Sequence, residues 1–219
     1  MCTDVILGIC GIIGGLFTAA GDLLLDLKGK DNQKLGKYGI MDSAWDRMDV
    51  RRFKVSILLA MVGVPLIFLG MIAMARQMME NAPVFGKVFF YVSLTGITGG
   101  FFIHTIICLF PVIYKKVREK GSFEEAETLI NEVYESIRIP FWIQYLLMVF
   151  VPAFMILYGL FAGVLQLSPW WGLATAPSLI FFSVLLNKIK NDWFCDLPFI
   201  ISPSLSMSMI GFLAVLSAI

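Results

Sequence analysis

The sequence predicts an all-α polytopic membrane protein, a bundle of six transmembrane helices with one amphipathic cytoplasmic helix between the third and fourth. Three observations carry that prediction. Of 219 residues, 58% are hydrophobic and 15% charged, and the mean hydropathy is +0.83, more apolar surface than a water-soluble core of this size can hide. Six apolar stretches approach the roughly 20 residues that a helix needs to cross about 30 Å of hydrocarbon. Basic residues fall almost entirely in alternate connections, as the positive-inside rule requires. Lipid forces backbone groups to bond internally, in helices or a closed barrel, and long unalternating runs select helices.

The first stretch, Val5 to Leu27, carries Gly8, Gly11, Gly15, Thr18, Asp22 and Asp26. Their steps of three and four place all six on one helical face. Gly11 and Gly15 have G-x-x-x-G spacing, which lets a neighbouring helix approach closely. Helix packing accounts for the glycines but not for two carboxylates that continue the same seam. Met1 to Asp4 offers no basic n-region, so the stretch is expected to remain as a helix and not to be cleaved as a signal.

The connection 28–54 holds Lys28, Lys30, Lys34, Lys37, Arg47, Arg51, Arg52 and Lys54. Ser43 with Asp46 resembles a capping box, which predicts a short interfacial helix with Trp45 at headgroup depth and Arg51 and Arg52 available to phosphates or carboxylates. After the second stretch, Val55 to Ala75, the third runs from Val84 to Tyr114 with Ser93, Gly96, Gly100, His104 and Pro111 in a matching stripe. The two glycine stripes predict that helices 1 and 3 form a close pair. At a rise of about 1.5 Å per residue, Asp22 and His104 both fall in the cytoplasmic half.

The connection 115–139 has an S-x-x-E start at Ser122 to Glu125, then apolar residues at Phe123, Ala126, Ile130, Val133, Tyr134 and Ile137. This predicts an amphipathic helix ending before Pro140. Its glutamate face repels anionic lipid, so residues 122–138 are expected to dock on the chain's own basic loop or on a protein partner. The fourth stretch, Pro140 to Leu165, enters with Trp142, Gln144 and Tyr145. The fifth, Pro169 to Leu186, leads through connection 187–196 to the sixth, Leu197 to Ile219, which enters with Asp196, Ser202 and Ser204. Pro65, Pro111, Pro152, Pro177 and Pro203 can kink these spans and free carbonyl groups.

Three alternate connections hold fifteen of the seventeen basic residues, leaving Arg76 and Lys87 for the other side. Both termini are therefore expected outside and the three connections in the cytoplasm. One integral membrane domain spans residues 1–219, without an internal repeat or linker. The basic residues follow topology and form no separate basic domain, so no nucleic-acid partner is expected.

Chemistry is narrowed in the same way. No H-E-x-x-H, P-loop or G-x-G-x-x-G is present, and Cys2, Cys10, Cys108 and Cys195 are scattered without C-x-x-C spacing. One histidine cannot build a multi-histidine zinc site. D-x-x-x-D with His104 is chemically permissible for a divalent ion, but neither a metal nor a cofactor is expected. What stands out is ionisable groups at one depth, which in a bilayer tend to face a cavity or a partner. Asp22 can orient or charge-pair His104, which makes the two the candidate acid/base residues. The candidate ligand site is Asp22, Asp26, His104, Trp45, Arg51, Arg52, Gln144 and Tyr145.

G-D-L-L-L-D at Gly21 to Asp26, K-L-G-K-Y-G at Lys34 to Gly39, the run from Trp45 to Lys54, and I-H-T-I-I-C-L-F-P-V-I-Y at Ile103 to Tyr114 resemble an uncharacterised family of bacterial multi-pass membrane proteins. The resemblance covers the whole chain, implies a bacterial inner (plasma) membrane protein, and attaches no activity to any residue.

The preferred reading is a cytoplasm-facing polar cavity that binds a small amphiphile or a lipid headgroup, with membrane lipids as natural partners. An intramembrane lipid-modifying enzyme using His104 and Asp22, a proton-coupled small-molecule carrier, and a structural or assembly protein are the alternatives.

Overall fold

The computed structural model describes residues 2–219, and the side chains of residues 190–193 lie outside that description, Lys190 of the third basic connection among them. Seven helices follow in order: α1 Cys2–Asp26, α2 Val50–Asn81, α3 Pro83–Arg118, α4 Phe123–Tyr145, α5 Val151–Phe161, α6 Ala176–Phe194 and α7 Leu197–Ala218. A π-helical turn, Leu146–Phe150, joins α4 to α5 without a break. Five helical segments are long and apolar enough to cross a membrane, with 123–161 counted as one, and α6 adds a shorter apolar section, Ala176–Ile189. The chain is a helical membrane protein.

Two boundaries differ from the sequence expectation. The amphipathic helix does not end before Pro140 but runs through it. Pro140 is exposed on the helix surface, so its ring meets no packed neighbour, and one missing N–H weighs less than abandoning the helical bonds of the residues that follow. The fifth apolar stretch begins as a 3-10 turn, Pro169–Ala174. Thr175 Oγ1 (2.6 Å) and Ser178 Oγ (3.2 Å) both donate to the Gly172 carbonyl there, and the long helix starts only at Ala176.

The expected pairing of helices 1 and 3 is also corrected. The small-residue face of α1 packs on α2 and α7, because those helices present small residues of their own. A Cβ on Gly11 would stand 2.7 Å from Gly70 Cα, one on Gly14 would stand 2.5 Å from the Gly63 carbonyl oxygen, and one on Gly8 would stand 2.8 Å from the Gly211 carbonyl oxygen. In α3, Gly96 and Gly100 instead receive Leu147 and Met148 of the π turn.

The connection after α1 forms a two-stranded hairpin, β1 Lys34–Leu35 against β2 Met41–Asp42, with Lys34 opposite Asp42. Gly36 and Gly39 have φ of 79° and 63° within it, a conformation that glycine adopts without penalty. A 3-10 turn, Ser43–Asp46, follows in place of the interfacial helix, with no side-chain cap at its start. Trp45 is not on the lipid-facing surface. It is 3% exposed and sits edge-on against Tyr114 at 5.6 Å, because the hairpin folds it into an apolar cluster with Met41, Phe53, Phe110 and Ile130. Ala126, Ile130 and Tyr134 of α4 close that cluster, and both arms of the Ser122–Glu125 capping box are formed. The glutamate-rich helix thus docks on the chain's own basic connection, one of its two expected partners.

All three basic connections gather at one end of the bundle. Lys115 Nζ donates to the carbonyls of Trp45, Asp46 and Met48, and the turn at Cys195 and Asp196 borders the same cavity as Lys28 and Lys30. The opposite end holds the α2–α3 turn, where Asn81 Nδ2 donates to the Val164 carbonyl.

Candidate functional site

Four helices bring polar groups together just inside the basic end. Asp22 and Asp26 occupy the last turns of α1, Ser56 the second turn of α2, His104 and Cys108 successive turns of α3, and Ser204 the third turn of α7. Each is a helical position held by packing, so the constellation is set by the bundle and not by a loop.

His104 Nδ1 lies 3.6 Å from Asp22 Oδ1, with the two side chains 17% and 20% exposed. Ser204 Oγ donates to the other carboxyl oxygen of Asp22 at 2.5 Å. On the far side of the ring, His104 Nε2 is 3.0 Å from Ser56 Oγ, which also lies 2.8 Å from the Gly21 carbonyl. A carbonyl cannot donate, so the Ser56 proton is committed to Gly21 and Ser56 must accept from His104. The Nε2 nitrogen therefore carries hydrogen. Its partner Nδ1 faces a carboxyl oxygen across 3.6 Å, an ion-pair distance too long for a direct hydrogen bond, and the contact is attractive when His104 is protonated. Asp22 and His104 thus form a close ionisable pair, neutral overall when it carries one proton besides that on Nε2. Cys108 Sγ donates to Ser56 Oγ at 3.4 Å and completes the cluster.

This unit borders a cavity of about 640 Å³. Asp22, Thr18 and Leu25 of α1 form one wall; Ile103, His104 and Ile107 of α3 form another; Phe141, Gln144, Tyr145 and Met148 form the third. Phe199, Ile200, Pro203 and Ser204 of α7 close it. The Thr18 hydroxyl is occupied by the carbonyls of Gly14 and Gly15. Gln144 Oε1 is buried with no hydrogen-bond partner among the described residues.

The mouth is ionic. Lys28 Nζ stands 2.6 Å from both Asp26 and Asp42, and Lys34 reaches Asp42 at 3.0 Å. Asn32 Nδ2 donates to Asp42 at 2.6 Å, while its carbonyl oxygen accepts from Ala44 N. Burial alone would push Lys28 down, but the Asp26 and Asp42 carboxylates outweigh it and hold the ammonium above its usual range.

Of the eight residues expected at the site, five line the cavity: Asp22, Asp26, His104, Gln144 and Tyr145. The other three lie elsewhere. Trp45 is in the apolar cluster beneath the hairpin. Arg52 spends its guanidinium on the C-terminal carbonyls of α1, those of Leu23, Leu24 and Leu27, where a cation is favoured by the unpaired carbonyls and the helix dipole. Arg51 is exposed. Among the described residues, no three His, Cys, Asp or Glu side chains converge as a metal site. Sequence reasoning missed Ser56, the Lys28–Asp42 mouth and Phe141. Ser56 did carry a signal, being the only hydrogen-bonding side chain between Val55 and Ala75.

A family model described as a family of unknown function (DUF6796) matches residues 3–219. No curated protein and no solved structure matches the chain.

Proposed function

The chain belongs to this family of unknown function, and on that premise we propose, from the site alone, a membrane protein that binds a small amphiphile or lipid headgroup in the cavity at its basic end. The observation that carries the reading is the Asp22–His104 unit, an ionisable pair at the edge of a cavity whose other walls are mostly apolar. A volume of about 640 Å³ falls in the range of small-molecule sites, in which a few polar groups orient a ligand that apolar walls hold. The polar end of the ligand meets Asp22 and His104, and its hydrocarbon lies against Ile103, Ile107, Met148 and Ile200.

In this reading α6 completes a sixth crossing, the three basic connections face the cytoplasm and both termini face outward. The membrane is the bacterial inner membrane, as the family resemblance implies. A partner protein at residues 122–138 would meet the exposed Glu124, Glu132 and Glu135, because the apolar face of that helix is covered by the chain itself.

A second reading, a proton-coupled carrier, is favoured by an aspartate and a histidine standing 3.6 Å apart at the cavity wall. The enzyme reading would use His104 and Asp22, with Ser204 the hydroxyl at the Asp22 carboxyl. Ser56 is committed to Gly21, Ser202 and Ser206 to backbone carbonyls of α7, and Ser208 to the Ile12 carbonyl.

Mass spectrometry of small molecules that co-purify with the wild type and with equally well-folded His104→Ala tests the proposal. A compound retained only by the wild type is the expected result, and identical extracts would overturn it.

A further inference from the structure

We infer that the amphiphile carries a cationic headgroup, and that its binding beside Asp22 expels a proton from the Asp22–His104 pair; this rests on the amphiphile reading of the same cavity.

Three features of the walls point to a cation. First, the lysines that line the cavity, Lys28, Lys30 and Lys34, all belong to the connection after α1, whereas the Asp22 carboxyl lies within the bundle. Lys28 and Lys34 are already held by Asp26 and Asp42. Second, the rings of Phe141 and Tyr145 lie parallel, 7° apart with centroids at 6.2 Å, and both face the cavity with Phe199. Aromatic faces attract ammonium groups through the ring quadrupole, most effectively where water is excluded. Third, Asp22 brings a carboxyl to the cavity wall, and with one proton to give up its pair with His104 is neutral, either as imidazolium and carboxylate or as imidazole and carboxylic acid.

Neutrality sets the exchange. Adding a cation to a neutral, poorly solvated site leaves a net charge that is costly to bury. Losing one proton from the pair restores balance: cation plus protonated pair becomes cation, carboxylate and neutral imidazole, with one proton passed to water. Of the other charged groups that line the cavity, Lys34 is paired with Asp42, Asp196 accepts from Asn187 and Lys30 is exposed. Asp26 of α1 is paired with Lys28, Cys108 of α3 donates to Ser56, and Tyr145 of α4 lies in the opposite wall. Neighbouring α2 and α7 contribute only the hydroxyls of Ser56 and Ser204.

The test uses the full chain in nanodiscs, an alkyltrimethylammonium probe, and its uncharged isostere with carbon in place of nitrogen. Calorimetry in buffers of different ionisation heat counts protons. The expected result is about one proton released per cation bound and none for the isostere, with cation affinity falling up to about tenfold per unit drop in pH over the titrating range. In Asp22→Asn, proton release disappears and cation affinity falls roughly tenfold or more, while the isostere still binds. Cation binding without proton release, or an isostere that binds the wild type more tightly than the cation, overturns the inference and leaves the amphiphile cavity standing. If neither probe binds, the amphiphile reading falls with it. Should Asp22→Asn not fold, the proton count on the wild type decides alone.

Discussion

His104 Nδ1 stands 3.6 Å from Asp22 Oδ1, although α1 packs on α2 and α7 and not along α3. The link between them is Ser56 of α2, which bonds the Gly21 carbonyl on one side and His104 on the other. The site therefore depends on the glycine seam that seats α2 against α1, and disturbing that seam disturbs the pair.

Gly11→Leu should test this dependence. A Cβ at position 11 would lie 2.7 Å from Gly70 Cα, so α1 and α2 must separate, with a loss on the order of 1–3 kcal/mol or more. Ala20→Leu, on an exposed face of α1, should stay within about 0.5 kcal/mol. Thermal unfolding in detergent distinguishes the two, and equal stability would refute the close seam.

The two adjacent arginines should behave differently. Arg52→Ala removes the guanidinium that bonds three carbonyls at the end of α1 and should cost about 2 kcal/mol. Arg51→Ala, exposed, should change stability by no more than about 0.5 kcal/mol. Matched urea or heat titrations of the single variants report the contrast.

Lys28→Met leaves Asp42, whose side chain is 1% exposed, without its closest cation and should destabilise by about 3 kcal/mol. The pH dependence has a defined sign. The folded-state value of Lys28 lies above the usual 10.5, so its contribution is fully present below about pH 10.5 and fades as pH rises through the folded value. Stability measured across alkaline pH should therefore show a step in the wild type that Lys28→Met lacks.

Much of this was legible in the sequence. Hydropathy marked the apolar spans, and counting residues at a helical rise put Asp22 and His104 at one depth, where they meet. Ser122 with Glu125 announced the start of α4 because a capping box is local chemistry. The partners of the glycines were not legible, since Gly11 fits Gly70 or a glycine of α3 equally well until the bundle is assembled. Trp45 carried the composition of an interfacial residue, and only the hairpin that buries it makes it core. Pro140 read as a stop, yet on an exposed face it removes one hydrogen bond and leaves the helix intact. Lys28 read as one of many basic residues because its partner Asp42 lies fourteen positions away, across a turn that the spacing does not define.

The most direct test of the central claim uses the chain's one histidine. Nitrogen-15 NMR of histidine-labelled protein in nanodiscs reports His104 alone. The account predicts hydrogen on Nε2, an Nδ1 signal intermediate between bare and protonated that moves in Asp22→Asn, and a saturable shift when a short-chain amphiphile is added. A histidine spectrum indifferent both to Asp22→Asn and to saturating amphiphile would contradict the pair and the cavity together.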